Sequence, residues 1–168
     1  MNNYFFIDAE CDGLFGKFLS VAVLVTNSNG SELEHFCGAV ENASDSVKTE
    51  WVKENVVPHL KNAERKFSSE YELLEAVWGM WMRYRDNAFA VADVLHPVES
   101  RLFAECVKHN PEERKMLSPF PFLDLSSLLF AKGIAWDKDR HSLSGLDIPT
   151  HDAMNDVRIT AKIFFSLI

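Results

Sequence analysis

The chain has 168 residues, of which 47% are hydrophobic, so it is long enough to form one domain with a substantial core. We expect a single domain over residues 1–168 and a soluble, cytoplasmic protein, because no apolar run approaches the roughly 18 residues of a membrane helix and no secretory leader is recognisable. The net charge of −8 argues against a broad footprint on duplex nucleic acid, but it does not exclude contact with a chain end, which needs few phosphate contacts.

The three cysteines, Cys11, Cys37 and Cys106, lie far apart and lack the paired spacing of a zinc site or a redox motif. We interpret them as reduced packing residues. Cys11 lies beside acidic residues, whose charge is expected to raise the pKa of its thiol and make it a poor nucleophile.

The first predicted element is a buried strand at residues 5–7 that ends on acidic residues. Asp8 and Glu10 are two residues apart, so on a strand both carboxylates would project from the same side of its end. Two close anions shift each other's pKa unless a cation lies between them, and hard oxygen ligands favour Mg²⁺ or Mn²⁺ over zinc. The alternative is that the pair merely ends a strand in a solvated turn.

Two more strands are predicted directly after this acidic turn. Residues 18–26 are rich in β-branched and apolar side chains, and residues 32–40 mix polar and apolar ones as a half-exposed strand does. A strong turn signal at residues 27–30 separates them. The opening of the chain therefore predicts a three-stranded antiparallel meander.

Two helices are predicted next. Residues 47–60 have apolar residues near helical spacing, with an interruption at Pro58. Ser68 or Ser69 can cap the second helix, whose aromatic stripe is interpreted as core rather than as a base-stacking surface.

The second half of the chain alternates strands with helices. The predicted elements are, in order, a strand at residues 88–92 that ends on Asp93, a helix beginning at Pro97, a strand at 120–125, a helical turn at 126–131, a loop at 132–149 with one short helical piece, and a final helix capped by Thr150 or Asp152. This order predicts an α/β fold in which helices cover a mixed sheet.

The candidate site residues lie at the ends of these elements, where ligands of α/β sheets gather. Asp8 and Glu10 end the first strand, Asp93 ends a later one, and Asp156 lies on the final helix. His151 is five residues before Asp156, a separation that turns about 140° net on one continuous helix. The two can share a site only if His151 lies on the loop ahead of the helix.

These residues occur in motifs that resemble those of the DEDDh 3′–5′ exonucleases, the DnaQ-like group with a ribonuclease H-like fold. Residues 8–14 look like the first motif, Asp-x-Glu-x-x-Gly, and Asp93 after its strand is similar to the second. Residues 151–156 match the third, His-x-Ala-x-x-Asp, whose histidine distinguishes this subgroup. The strand around residues 123–125 also resembles the one between the second and third motifs, so the resemblance covers nearly the whole chain, from residue 4 to residue 165.

The sequence departs from the family pattern in two places. Cys11 stands where family members often carry Thr after the motif-one Glu, and the residues after Asp93 lack the Phe or Leu spacing common in the proofreading members. Both departures concern contacts with the substrate rather than the acidic residues.

The resemblance implies a metal-dependent 3′–5′ exonuclease with two Mg²⁺ or Mn²⁺ ions. Asp8 would bridge the ions, Glu10 and Asp156 would complete the shell of one, and Asp93 would hold the other. His151 would be the general base, since its ordinary pKa suits proton transfer near neutral pH. The expected substrate is the 3′ end of single-stranded RNA or DNA, with short oligonucleotides or RNA ends favoured by the acidic charge, and the products are nucleoside 5′-monophosphates.

Residues near the first motif are candidates for contacts with the substrate. Leu14 and Phe15 are predicted to stack against terminal bases, whereas Phe18 could either do so or belong to the core. Asp124 is interpreted as a structural acid that accepts hydrogen bonds from backbone near the site.

Two other classes of function compete with this hypothesis. A haloacid-dehalogenase-like phosphatase would need an Asp two residues after Asp8, and Glu10 occupies that position. An exonuclease-like fold used only as a binding module is the non-enzymatic alternative, and the presence of all five predicted catalytic residues favours the enzyme. A homodimer is possible because it is common among related proteins, although no feature of the sequence indicates an interface.

Overall fold

The computed structural model describes residues 2–168 and shows a six-stranded sheet with helices on both faces. The strands are β1 (Asn3–Cys11), β2 (Phe18–Thr26), β3 (Glu32–Val40), β4 (Arg65–Phe67), β5 (Ala88–Ala92) and β6 (Phe122–Asp124). The helices are α1 (Glu50–Asn55), α2 (Glu70–Tyr84), α3 (Val98–His109), α4 (Pro111–Arg114), α5 (Leu125–Ala131), α6 (Arg140–Ser144) and α7 (Ala153–Leu167), and 3-10 turns at Ala43–Ser46 and Val57–Asn62 flank α1. Within residues 2–168, no helix combines the length and the apolar character needed to cross a membrane.

The strand order is β4-β3-β2-β1-β5-β6. β1, β2 and β3 form an antiparallel meander, β5 and β6 run parallel to β1, and β4 runs parallel to β3. The predicted α/β fold, with an antiparallel meander and added parallel strands, is confirmed.

The sheet is covered on both faces, so β2 is buried along its whole length. Phe5 and Ile7 of β1 pack with α2 and α3 on one face, whereas Phe6 packs with α7 on the other. This alternation follows from the two-residue period of a strand, and it decides which helix each later residue of β1 faces.

The first strand is longer than predicted. It continues through Asp8 and Glu10 to Cys11, because β2 pairs with it over this whole length and provides hydrogen-bonding partners for its backbone. The two acids are therefore part of a strand rather than of a turn. β4 and α4 were not predicted, since elements of three or four residues are too short to show a periodic pattern.

The predicted helix caps are confirmed at α2 and α7. Ser69 accepts a hydrogen bond from the N–H of Glu72 at 3.3 Å at the beginning of α2. Asp152 accepts one from the N–H of Asn155 at 3.3 Å, so α7 begins immediately after it.

Candidate metal and active site

Asp8 and Glu10 lie where β1 loses one of its two neighbours. β5 pairs with β1 only as far as Phe6, which is opposite Val91, while β2 continues along β1 to Cys11. Because Phe6 packs on the α7 side of the sheet, strand alternation points Asp8 and Glu10 to the same side. The two carboxylates therefore face α7 beside an open flank of β1.

The beginning of α7 brings two further residues to this place. His151 precedes the helix in the left-handed backbone conformation, with φ of 59°, and its N–H donates to Oδ2 of Asp156 at 2.8 Å. One ligand atom from each of Glu10, His151 and Asp156 lies within 4.8 Å of the other two. His151 thus occupies the loop ahead of the helix, the position that its spacing from Asp156 required for a shared site.

Asp8 has a buried oxygen without a partner. Its Oδ2 accepts no hydrogen bond from the residues that the structure describes. Burial raises the pKa of Asp8 well above its ordinary value, and the charges of Glu10, Glu99 and Asp156 raise it further. An unpaired buried carboxylate is costly, and a bound cation would remove that cost.

The neighbouring carboxylates are under the same electrostatic strain. Burial raises the pKa of Glu10 to about 7, and the charge of Asp156 adds to this effect. Burial raises the pKa of Asp156 to about 7 as well, although the hydrogen bond from the His151 N–H opposes the shift. Several hard oxygen donors that repel one another are a suitable ligand set for Mg²⁺ or Mn²⁺, so the residues present fit the metals that the resemblance implies.

Glu99 joins this cluster, and the sequence analysis missed it. It lies in the first turn of α3, is 6% exposed, and its Oε1 accepts a hydrogen bond from the N–H of Ala9 at 3.3 Å. Burial raises the pKa of Glu99 to about 8, and the charge of Glu10 contributes. One signal could have revealed it, because Glu99 falls on the apolar stripe of α3 with Leu102 and Phe103, where a carboxylate is unexpected.

Asp93 is close enough to raise the pKa of Asp8 and Asp156, but its carboxylate is already engaged. Nε of Arg140 donates to Oδ1 of Asp93 at 2.8 Å and to Oδ2 at 3.0 Å. Burial raises the pKa of Asp93 and the Arg140 charge opposes that shift. Arg140 also donates to Oγ of Ser126 at 2.8 Å, so it ties the end of β5 to the start of α5 and α6.

Asp124 has the structural role predicted for it. Its Oδ1 accepts a hydrogen bond from the N–H of Leu95 at 2.9 Å, and its Oδ2 accepts one from the N–H of Ser127 at 2.8 Å. Because the second bond caps α5, the strand predicted at residues 120–125 ends one residue earlier, at Asp124.

Cys11 is buried, and the pKa of its thiol is raised to about 12. Burial is the main cause, and the carboxylates of Glu99, Glu10 and Asp8 add to it. The predicted direction is confirmed, although solvent exclusion contributes more than the acidic neighbours.

The turn after β1 and helix α1 both expose apolar side chains. Leu14 is 60% exposed and Phe15 is 73% exposed, both in the turn between β1 and β2. Phe18, by contrast, is buried in the core, which resolves the alternatives left open for it. The rings of Trp51, from α1, and His151 meet edge to face, with centroids 4.8 Å apart and planes at 83°.

The position of Trp51 depends on Asp12. The Asp12 carboxylate accepts hydrogen bonds from the N–H groups of Lys48 and Thr49, each at 2.9 Å, and these bonds lower its pKa. They fix the residues just before α1 against the β1–β2 turn. Trp51 and His151 are 100 positions apart in the sequence, and only this folding brings them together.

His151 is half-buried, and burial together with the nearby His59 lowers the pKa of its imidazole. A lowered pKa keeps the ring neutral near pH 7, the state in which it can accept a proton. The arrangement thus places several carboxylates that could hold a divalent cation beside a half-buried imidazole.

The strand order of the sheet and the helices that flank it identify the fold. An α/β sheet of this order, with flanking helices, is the ribonuclease H-like fold of exonuclease I, and it confirms the predicted fold class. No protein-family model and no curated protein sequence matches the chain.

Several solved structures of exonuclease I are similar to this chain. The zinc-bound complex of E. coli exonuclease I with single-stranded DNA shares 16% identity with this chain at a TM-score of 0.69, over 99% of this chain and 40% of that one. The moderately thermophilic exonuclease I from Methylocaldum szegediense shares 15% identity at a TM-score of 0.64, over 97% of this chain and 39% of that one. This chain therefore spans about two-fifths of the length of the proteins it resembles, and at these identities the likeness establishes the fold.

Proposed function

We propose that the chain is a metal-dependent 3′–5′ exonuclease that hydrolyses phosphodiester bonds at the 3′ end of single-stranded RNA or DNA and releases nucleoside 5′-monophosphates. Short oligonucleotides or RNA ends are the favoured substrates, since the chain carries a net charge of −8. The observation that carries the proposal is the convergence of Asp8, Glu10 and Asp156 beside a neutral His151. The complex of E. coli exonuclease I with single-stranded DNA supports the polymer class.

The four best placed metal ligands are Asp8, Glu10, Asp156 and Glu99. Asp8 has the unpartnered oxygen, and the other three are carboxylates whose pKa is raised by burial. Asp93 remains the sequence-based candidate for this fourth position. We favour Glu99 because both oxygens of Asp93 accept hydrogen bonds from Arg140.

Two Mg²⁺ or Mn²⁺ ions bound by these carboxylates would polarise the phosphodiester, lower the pKa of the attacking water and stabilise the leaving oxygen. His151 holds the proton-accepting position next to Glu10 and Asp156. Trp51 restricts the rotation of the His151 ring by its edge contact. Leu14 and Phe15, in the turn that follows the acids of β1, have exposed apolar surfaces suited to contact with the terminal bases.

The test is release of nucleotide from 3′-labelled and 5′-labelled RNA and DNA oligonucleotides in the presence of Mn²⁺, Mg²⁺ or EDTA. Stepwise shortening from the 3′ end that requires metal is the expected result, and the two sugar types reveal the preferred substrate. Asp8→Asn is the matched control, since it keeps the shape of the side chain and removes its charge. Binding of oligonucleotide without any cleavage would instead favour the non-catalytic binding module.

A further inference from the structure

The carboxylate of Asp93 is paired with a cation that belongs to the chain itself. Nε of Arg140, the first residue of α6, donates to its Oδ1 at 2.8 Å and to its Oδ2 at 3.0 Å. For Asp8, by contrast, the charged side chains that shift its pKa are all acidic, and its Oδ2 accepts no hydrogen bond within residues 2–168. The acidic cluster therefore has an internal positive charge on the side of Asp93 and lacks one around Asp8.

Hydrogen bonds to other groups hold Arg140 in this position. Nη2 donates to Oγ of Ser126 at 2.8 Å and to the carbonyl of Trp136 at 2.9 Å. Nη1 donates to the carbonyl of Lys138 at 2.7 Å, and the Arg140 side chain is 16% exposed. The guanidinium is therefore fixed beside the end of β5 by α5 and by the loop before α6, in addition to its bonds with Asp93.

Asp139, the acid next to Arg140 in the sequence, has its carboxylate engaged elsewhere. Its Oδ2 accepts hydrogen bonds from the N–H of Ser142 at 2.7 Å and from the Ser142 hydroxyl at 2.6 Å. These bonds cap the beginning of α6, where Arg140 lies. The cap therefore keeps Asp139 from drawing the guanidinium away from Asp93.

A fixed guanidinium differs from other cationic side chains in how it can respond to a metal ion. A lysine or histidine can release its proton when a second cation approaches, but an arginine keeps its charge at every pH near neutrality. A divalent ion bound to Asp93 would thus lie against a like charge that already donates to both carboxylate oxygens. Repulsion between charges in a partly buried site is only weakly screened by salt.

We propose that Arg140 keeps divalent cations from Asp93, so that the protein binds a single ion, at the carboxylates around Asp8, in the absence of nucleic acid. This inference rests on the proposed function, because it concerns the metal site of that reaction. It makes Arg140 a positioning residue that determines how many ions the free protein holds. A second ion would then need oxygen atoms of the substrate in place of Asp93, as Mg²⁺ sites with few carboxylates do.

The test counts the Mn²⁺ ions bound without nucleic acid, by calorimetric titration in about 0.15 M salt, which screens weak binding to exposed acids. The wild type should bind one ion. Arg140→Gln should bind a second, and electron paramagnetic resonance should show a magnetically coupled pair, since ions that share a carboxylate site lie about 3.5–4 Å apart. Adding Asp93→Asn to Arg140→Gln should return the count to one, because the second ion then loses its ligand.

Arg114→Gln is the matched control. Arg114 pairs with Glu75, and its side chain is 14% exposed against 16% for Arg140, so the control frees a comparable carboxylate on the outer surface of α2. It should leave one bound Mn²⁺.

Two ions in the wild type, or one ion in folded Arg140→Gln, would overturn the inference and leave the proposed function standing. If Arg140→Gln does not fold, Asp93→Asn decides the matter. It should keep one ion with affinity within about tenfold of the wild type, the smaller effect expected of a residue that is not itself a ligand, and loss of that ion would overturn the inference. A wild type that binds no Mn²⁺ would contradict the metal-dependent function, and this inference with it.

Discussion

Carboxylates in two regions of this molecule have pKa values shifted in opposite directions, although burial by itself raises the pKa in both. In the candidate metal and active site, burial and mutual repulsion raise the pKa of Glu10 and Asp156 to about 7. On the outer surface of α2, Glu75 has its pKa lowered to about 2.

The two pKa shifts differ in sign because cationic side chains surround Glu75 and not the acids of the candidate site. Nη1 and Nη2 of Arg114 donate to the two oxygens of Glu75 at 2.6 and 2.7 Å, and Nδ1 of His109 lies 2.7 Å from Oε1. The acids of the candidate site have carboxylate neighbours instead, and the guanidinium of Arg140 pairs with Asp93. The surface group therefore contributes to stability, while the cluster stores an electrostatic cost that bound metal would remove.

The largest expected effect follows from removing one charge from the cluster. Asp8→Asn should lower kcat by about 10⁴-fold, because several kcal/mol of metal-dependent transition-state stabilisation are lost. The same change should raise the thermal midpoint of the protein in EDTA, since it relieves repulsion around a buried carboxylate. Activity assays and thermal unfolding of one preparation check both parts, and a variant with near wild-type turnover excludes Asp8 as a ligand.

The second prediction separates the base from the ligands. His151→Gln should reduce kcat by about 10³-fold, within the range for loss of a general base. Calorimetric titration with Mn²⁺ should show affinity close to that of the wild type. If the pH–rate profile keeps the same limbs after the substitution, another group accepts the proton.

The third prediction compares two variants to decide which acid completes the candidate metal site. Glu99→Gln should weaken Mn²⁺ binding by about 10²-fold, whereas Asp93→Asn should cost about tenfold or less, because Asp93 acts through Arg140 and adjacent structure. Calorimetric titration of both variants gives the comparison. The reverse order of the two effects would support Asp93, the residue predicted from sequence, as the ligand.

The smallest expected effect concerns Glu75, the surface carboxylate that pairs with Arg114 and His109. Glu75→Gln should lower the free energy of unfolding at pH 7 by about 1–2 kcal/mol, a value reduced for solvent screening because the side chain is 31% exposed. Urea unfolding measures this loss, and exonuclease activity should not change.

The pH dependence of stability tests the assigned role of the Glu75 ion pair. The pKa of Glu75 is lowered from 4.5 to about 2, so its contribution is fully present above pH 4.5 and disappears as pH falls through about 2. Glu75→Gln should therefore differ from the wild type at neutral pH and converge with it in acid. A stability difference that stays constant down to pH 2 would show that the ion pair is not its source.

Local patterns in the sequence determined much of the fold. Strand alternation and turn residues predicted β2, β3 and β5, and the caps predicted where α2 and α7 begin. These features depend on contacts among residues close in sequence, so a periodic pattern records them. The spacing of His151 and Asp156 also indicated a loop before α7.

Tertiary structure alone decided the environment of the acids. The pairing of β2 with β1 extends the first strand through Glu10, the divergence of β5 frees the Ala9 N–H for Glu99, and Arg140 reaches Asp93 across 47 positions. Asp93 was predicted to be a metal ligand because it is an acidic residue at the end of a strand. Whether a carboxylate is free or already paired depends on residues distant in sequence, and no local pattern encodes their approach.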